Sequence, residues 1–171
     1  TELSSMSKIY MNALMGIKTE SPLDKLAYLE ASMTFMHPVG VYYGRKYFGE
    51  EAKKDVVDLV KKIIETYKKR IKNNTFLENA TKEKAIAKLS KIEIKMGYPD
   101  KIDEVYSKMK VDENLTYFEN RLNLGRIQSL DRLNRLYDVV DRTKWGMPGH
   151  MVNASYNPSH NDITFPAGIL Q

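Results

Sequence analysis

The sequence predicts a mainly α-helical fold with a short β-hairpin near its C-terminal end. Along most of the 171 residues, apolar side chains recur at three- and four-residue steps, the period of a helix with one buried face. After Trp145 the pattern changes to two short β-prone runs on either side of a turn-rich loop. The chain is long enough to bury a core, and it has no cysteine, which excludes disulfide bonds and thiolate metal sites.

The first two helices are predicted from an apolar stripe and from a start signal. Residues 3–15 carry apolar side chains at helical spacing. Ser21 and Pro22 then have the composition of a helix start, because serine can cap a helix and proline suits the first helical position. We expect this second helix to stop near His37, because Pro38 disfavours helical geometry in the residue before it.

The middle of the chain predicts a short helix and then a long one. The short helix covers residues 39–48 and closes at Gly49. Residues 50–73 form the strongest helical pattern, and Asn73 ends it. Seven side chains of this helix are predicted to share its buried face: Ala52, Val56, Leu59, Val60, Ile63, Tyr67 and Ile71.

Three further elements are predicted before Trp145. Thr81 is expected to cap a helix, and residues 92–96 alternate apolar and polar side chains, which indicates a short extended piece before a turn. A long helix fits residues 112–141, although Gly125 inside it weakens helix formation. Its predicted inner face consists of Leu115, Phe118, Leu122, Leu130, Leu133, Tyr137 and Val140.

The last segment predicts a hairpin. Residues 151–156 and 162–165 are β-prone, and the loop between them contains Pro158, outside both runs. The chain then ends on the apolar Ile169 and Leu170 followed by Gln171. We interpret that ending as a truncation within a longer protein.

Charge and composition argue against membrane and nucleic-acid partners. The formal charge is only +5, and the densest basic cluster, residues 61–72, alternates with acidic residues on one helical pattern, which is typical of a solvated face. A basic helical module that binds nucleic acid stays a less favoured alternative. No apolar run reaches the roughly 18–20 residues of a transmembrane helix, and no signal peptide is visible.

The sequence does not carry a recognisable catalytic centre. A helical zinc site needs two histidines four residues apart with a glutamate between them, and His37, His150 and His160 do not have this spacing. A serine-nucleophile elbow and the glycine-rich phosphate-binding motifs are also missing. We therefore assign no catalytic residue and no metal ligand.

A family resemblance lies mostly at the C-terminal end. Residues 152–158 and 161–171 resemble the neprilysin family of zinc metallopeptidases, which reads V-N-A-aromatic-Y and then N-x-I-x-F-P-A-x-I-L-Q just before its zinc helix. Weaker matches follow the same order upstream, at residues 39–48 and 81–100. The resemblance covers the chain from about residue 30 to its end.

This resemblance implies a fold and a role for each part of the chain. In this family a helical lobe covers a thermolysin-like catalytic lobe and limits substrate size. Residues 1–144 would belong to the helical lobe, and residues 145–171 would begin the catalytic lobe. Asn153 and Ala154 match the family's substrate-binding pair, while Ser155 stands where the family usually has an aromatic residue.

The resemblance also implies partners and a cofactor. The full-length enzyme would bind zinc and hydrolyse oligopeptides, and this chain would pack against the remainder of the catalytic lobe. Because no zinc motif is present, we expect the 171-residue chain alone to bind no zinc and to be inactive. An exposed hairpin edge could pair with a second copy of the fragment.

One alternative to an active peptidase stays open for the parent protein. It could be a non-catalytic peptide-binding or scaffold relative that has lost its zinc ligands. The absence of cysteine favours a bacterial, cytoplasmic member, because the resemblance implies disulfide bonds in exported animal members.

Overall fold

Helices make up most of the chain, and a three-stranded sheet lies in its second half. The computed structural model describes residues 2–19 and 21–171. The chain divides into two units, Thr1–Met36 and His37–Gln171. The mainly α-helical fold with a C-terminal hairpin is therefore confirmed. No helix in the described ranges is both long and apolar enough to cross a membrane.

The first unit contains two helices close to their predicted positions. Helix α1 spans Glu2–Met15 and α2 spans Leu23–Thr34. The start of α2 differs in detail, because Pro22 is its N-cap and no side chain caps it. Ser21 therefore lies one residue outside the position from which a capping hydroxyl reaches the first free N–H groups.

Pro38 does not end a helix as predicted. Helix α2 stops at Thr34, and a new helix, α3, begins at Met36 and runs to Tyr43. His37 and Pro38 lie in the first turn of α3, where a missing N–H costs no intrahelical hydrogen bond. A π-helical turn, Gly44–Phe48, continues α3 and closes at Gly49, whose φ is +84°.

The long helix α4 spans Gly49–Lys72, as predicted, but part of its predicted buried face is exposed. Ile64 is buried, and Ala52, Val56, Val60 and Ile71 are half-buried. The predicted face was too wide, since α4 packs against the next helix and the first strand on one side. Three predicted core residues are exposed: Leu59, Ile63 and Tyr67.

The next helix begins earlier than predicted. Helix α5 spans Asn79–Ser90 with Glu78 as its N-cap, so Thr81 lies inside the helix and does not cap it. The Asn74 side-chain oxygen accepts hydrogen bonds from the backbone N–H groups of Phe76 and Leu77, at 3.0 and 2.9 Å. This Asx-type turn shortens the connection and lets α5 begin at Asn79.

The helix predicted over residues 112–141 is shorter at both ends. A short helix, α6, spans Val105–Lys108, and α7 spans Tyr117–Asn134. A capping box fixes the start of α7, because Thr116 accepts from the Glu119 N–H and Glu119 accepts from the Thr116 N–H. The predicted inner face is wrong for the described chain, where Leu124 is buried and these side chains are exposed: Leu115, Phe118, Leu122, Leu130, Leu133, Tyr137 and Val140.

The sheet joins two distant parts of the second unit. Strand β1 spans Glu93–Gly97, β2 spans Ser155–Asn157 and β3 spans Asp162–Pro166, in the order β1-β3-β2. The predicted hairpin is confirmed, because β2 and β3 pair antiparallel, and a short helix, α8, follows at Ala167–Leu170. Strand β1 confirms the extended piece predicted over 92–96, and its parallel pairing with β3 makes β3 the central strand.

Two of the largest fully buried side chains lie where β1 ends. Met96 and Tyr98 are 2% and 1% exposed, and the Tyr98 hydroxyl donates a hydrogen bond to Glu50 at 2.6 Å. Burial raises the pKa of Tyr98 to about 12. Gly44 makes room for this tyrosine, because a Cβ at Gly44 would overlap the Tyr98 ring. The C-terminal end of β1 is thereby held against the π-helical turn and α4.

Candidate functional site

One face of the sheet carries polar side chains in rows across the strands. Lys95, Thr164 and Ser155 are directly paired across β1, β3 and β2, so their side chains share one face. The neighbouring row on that face pairs Asp162 with Asn157. Burial alternates along β3, and the buried positions include Asp162 and Thr164. The sheet therefore places polar groups on a face that is closed to solvent in its centre.

An ion pair lies at the centre of this face. Lys95 Nζ contacts Asp162 Oδ2 at 2.7 Å, and the two side chains are 4% and 5% exposed. The same ammonium donates to the Lys144 carbonyl oxygen at 2.7 Å. His160 Nδ1 lies 3.6 Å from Asp162 Oδ2. Two charges removed from water in this way are stable only when each is paired and hydrogen-bonded.

A cavity of about 220 Å³ lies over the ion pair. Its floor is buried and consists of Lys95, Asp162 and Thr164, while Ser155 at its rim is exposed. Its walls include the indole ring of Trp145 and the thioether of Met147. The other lining residues are Lys144, Gly146, Asn157 and His160.

The predicted substrate-binding pair lies immediately before the edge strand. Asn153 and Ala154 precede β2, which begins at Ser155, so the strand is shorter than the β-prone run 151–156. Asn153 is exposed, and its side-chain oxygen accepts a hydrogen bond from the Ala154 N–H at 2.8 Å. The amide NH₂ of Asn153 makes no hydrogen bond within the described ranges. The structure thus holds this side chain beside the sheet edge with its donor group available.

The histidines do not form a zinc site in the described chain. No group of three or more His, Cys, Asp or Glu side chains within residues 2–19 and 21–171 could hold a metal ion. His160 has Asp162 beside it, but Lys95 already occupies that carboxylate. The Nδ1 atom of His150 is buried without a hydrogen-bond partner. These residues therefore do not fit a zinc ion by themselves.

Two half-buried histidines, His37 and His150, are expected to make the stability of the second unit dependent on pH. Burial lowers the pKa of His37 and of His150 below the usual 6.5. A lowered pKa means that the stabilisation is complete above the unfolded value and is lost as the pH falls through the folded value. We expect the free energy of unfolding to decrease between pH 7 and pH 5, measured by urea denaturation. His150→Gln should flatten this decrease, and an unchanged slope would contradict the assignment.

Sequence reasoning missed the ion pair and the cavity. The alternation in residues 92–96 marks Lys95 as a polar position of a strand, and such positions usually face solvent. Only the pairing of β1 with β3 brings Lys95 to Asp162. The one local signal was Asp162 itself, a carboxylate at the start of a β-prone run.

Comparison with known proteins identifies the family. Residues 1–99 match the family model described as Peptidase family M13. The chain is 44% identical over 147 residues to a neutral endopeptidase of Lactobacillus helveticus. The aligned region covers 86% of this chain and 23% of that protein.

Solved structures give the same result. The crystal structure of PepO from Lactobacillus rhamnosis matches 99% of this chain at 42% identity with a TM-score of 0.88, and the match covers 27% of that chain. The zinc metalloprotease Zmp1 of Mycobacterium tuberculosis, in complex with an inhibitor, matches 99% of this chain at 31% identity with a TM-score of 0.78, and 25% of that chain is covered.

These similarities confirm the resemblance derived from residues 152–171. The chain spans about a quarter of the length of the relatives it matches. The matched family model covers more than half of the chain, and the fold agrees over almost its entire length. The chain belongs to peptidase family M13.

Proposed function

We propose that this chain is part of a zinc-dependent metalloendopeptidase and supplies the edge strand that binds the backbone of a short peptide. The observation that carries the proposal is the position of Asn153 and Ala154, directly before an edge strand of the sheet, β2. Membership of a peptidase family supports the peptide as substrate class. The chain's own residues contribute binding and orientation, and none of them is assigned to the chemical step.

The geometry of β2 suits an extended peptide. In the described chain β2 pairs with β3 on one side only, so its other side presents unpaired N–H and C=O groups. An extended peptide adds to such an edge as a further strand through main-chain hydrogen bonds. An exposed amide side chain beside it can both donate to and accept from the peptide backbone, and Asn153 has this position.

We further propose that residues 1–144 belong to the helical lobe of the parent enzyme and residues 145–171 to its catalytic lobe. The hairpin and its preceding loop, which contain the proposed substrate contacts, lie entirely in the second segment. The residues that the structure describes do not fit zinc, so the metal would be held by other parts of the parent protein. When bound, zinc would supply a Lewis acid for peptide hydrolysis.

Replacing Asn153 should weaken peptide turnover by the full-length enzyme. Asn153→Ala removes one or two hydrogen bonds to the substrate backbone, each contributing about 1 kcal/mol, so kcat/KM should decrease between about fivefold and thirtyfold. Asn123→Ala is the matched control, because Asn123 is an exposed asparagine within α7. Equal kcat/KM values for the two variants would refute a substrate contact at Asn153.

The isolated 171-residue chain should not cleave peptides. It lacks a set of side chains that fits zinc within its described ranges, so zinc should neither bind tightly nor generate a nucleophile. We expect a short peptide incubated with the chain and zinc to be cleaved no faster than in buffer, as measured by mass spectrometry. The full-length enzyme serves as the positive control. Zinc-dependent cleavage by the isolated chain would overturn this assignment.

A further inference from the structure

We propose that the cavity beside β2 is a specificity pocket that accepts an asparagine or glutamine side chain of the bound peptide. This inference rests on the proposed function, because it requires a peptide paired with the edge of β2. It adds a substrate class to that function, namely peptides that carry a side-chain amide at the residue opposite Ser155.

The register of the sheet directs one peptide side chain to this cavity. Lys95, Thr164 and Ser155 form one cross-strand row, and directly paired residues point to the same face of a sheet. A peptide that pairs with the free edge of β2 extends this row by one position. The side chain opposite Ser155 therefore lies on the face of the cavity, next to its rim.

Ser155 leaves the entrance of the cavity open. It is the exposed member of the row, whereas Lys95 and Thr164 are buried on the floor. A serine side chain has a single oxygen beyond Cβ, so it fills little of the space between the peptide and the floor of the cavity. A large aromatic side chain at the same position would occupy the space between the peptide and Thr164. The identity of residue 155 thus controls access to the floor.

The floor selects for a neutral group that both donates and accepts hydrogen bonds. Lys95 has three donors, and the structure shows two acceptors within reach, Asp162 and the Lys144 carbonyl. Asp162 uses Oδ2 for Lys95, and Oδ1 makes no hydrogen bond within the described ranges. One Lys95 donor and Asp162 Oδ1 are therefore left without a partner in the described part of the chain, and the Thr164 hydroxyl on the same floor can also donate and accept. A primary amide matches them, since its oxygen accepts and its nitrogen donates.

The charged groups on the floor of the cavity disfavour acidic, basic and purely apolar side chains of the peptide. The charges of Lys95 and Asp162 neutralise each other at 2.7 Å, so the cavity offers little net attraction to an ion. A carboxylate entering it would lie beside Asp162, and an ammonium would lie beside Lys95. A purely apolar side chain would displace water from both groups without replacing its hydrogen bonds. Trp145 and Met147 on the walls can pack against the methylene groups of glutamine or asparagine.

The test compares matched peptides with the full-length enzyme. A parent peptide is varied one position at a time to glutamine, leucine or glutamate, and kcat/KM is measured by mass spectrometry. At one position close to the cleaved bond, we expect glutamine to exceed leucine and glutamate by about fivefold or more, since a gained hydrogen bond has about that effect. Absence of such a position, with peptides otherwise cleaved, would refute the pocket and leave the proposed function intact. Absence of any cleavage would refute the proposed function, and the pocket with it.

Two variants connect that preference to the cavity. Ser155→Phe should abolish the preference, so that the ratio of kcat/KM for the glutamine peptide to kcat/KM for the leucine peptide falls to about one. Ser159→Phe is the control, because Ser159 is exposed in the hairpin loop and does not line the cavity. Thr164→Val removes a hydroxyl from the floor with little change of shape, and it should weaken the preference even if Ser155→Phe fails to fold. An unchanged glutamine preference in Thr164→Val, or in a folded Ser155→Phe, would overturn the proposal.

Discussion

Replacing Lys95 by methionine is expected to lower the free energy of unfolding by about 3–5 kcal/mol. The reason is that Asp162, whose side chain is 5% exposed, would then be a buried charge without its partner. His160 lies 3.6 Å from the same carboxylate, which is too far for a hydrogen bond of ordinary length, so it cannot fully replace the ammonium. Urea denaturation followed by circular dichroism measures the loss.

The control for this result is an ion pair on the surface. Lys61 and Asp58 lie 3.7 Å apart on α4, and their side chains are 62% and 50% exposed. Such a pair contributes about 0–1 kcal/mol, so Lys61→Met should have little effect. The double variant Lys95→Met with Asp162→Leu removes both buried charges and should recover much of the stability. A loss in the double variant as large as the sum of both single losses would contradict a buried ion pair.

The predictable part of the fold is the part that depends on local sequence. Helix α4 and the hairpin of β2 and β3 were predicted because their signals lie within the segments themselves, as periodicity or as a turn between two β-prone runs. The start of α7 was missed although it is also local, because Thr116 and Glu119 form a capping box that the periodicity of the surrounding residues obscured. That pattern of Thr-x-x-Glu was readable in the sequence.

The unpredictable part depends on contacts between distant segments. The parallel pairing of β1 with β3 has no signal in either strand, and it determines which residues meet on the polar face. Asn153 and Ala154 could be proposed as a binding pair because they belong to a contiguous motif, and they lie directly before the edge strand. Lys95 and Asp162 could not be paired, since an exposed and a buried lysine look alike in a sequence. Leu59 is exposed for the same reason. Helical periodicity identifies the apolar face of a helix, but it does not show which other segment packs against that face.

A methyl group added at Gly40 is expected to destabilise the chain by about 3 kcal/mol, the upper range for overpacking a core. Gly40 lies within α3, and its Cβ would overlap the backbone of Pro148 and Gly149. Backbone atoms cannot move aside as a flexible side chain does. Gly149 is also held from the other side, because its carbonyl oxygen accepts from the Gly168 N–H at 3.0 Å in α8. Gly40→Ala must therefore shift α3 or the loop that leads to Asn153.

Gly125→Ala separates this clash from the ordinary effect of alanine in a helix. Gly125 lies inside α7, and a Cβ there would meet no atom within 4 Å. Alanine should therefore stabilise the chain by about 0.5–1 kcal/mol, since glycine loses more conformational freedom on folding. The same substitution in two helices thus has opposite expected signs, and urea denaturation of both variants measures them.

If Gly40→Ala also stabilised the chain, the close contact between α3 and the loop before β2 would be wrong. Because that loop positions Asn153, the destabilising result should be accompanied by a lower kcat/KM of the full-length enzyme, whereas Gly125→Ala should leave kcat/KM unchanged.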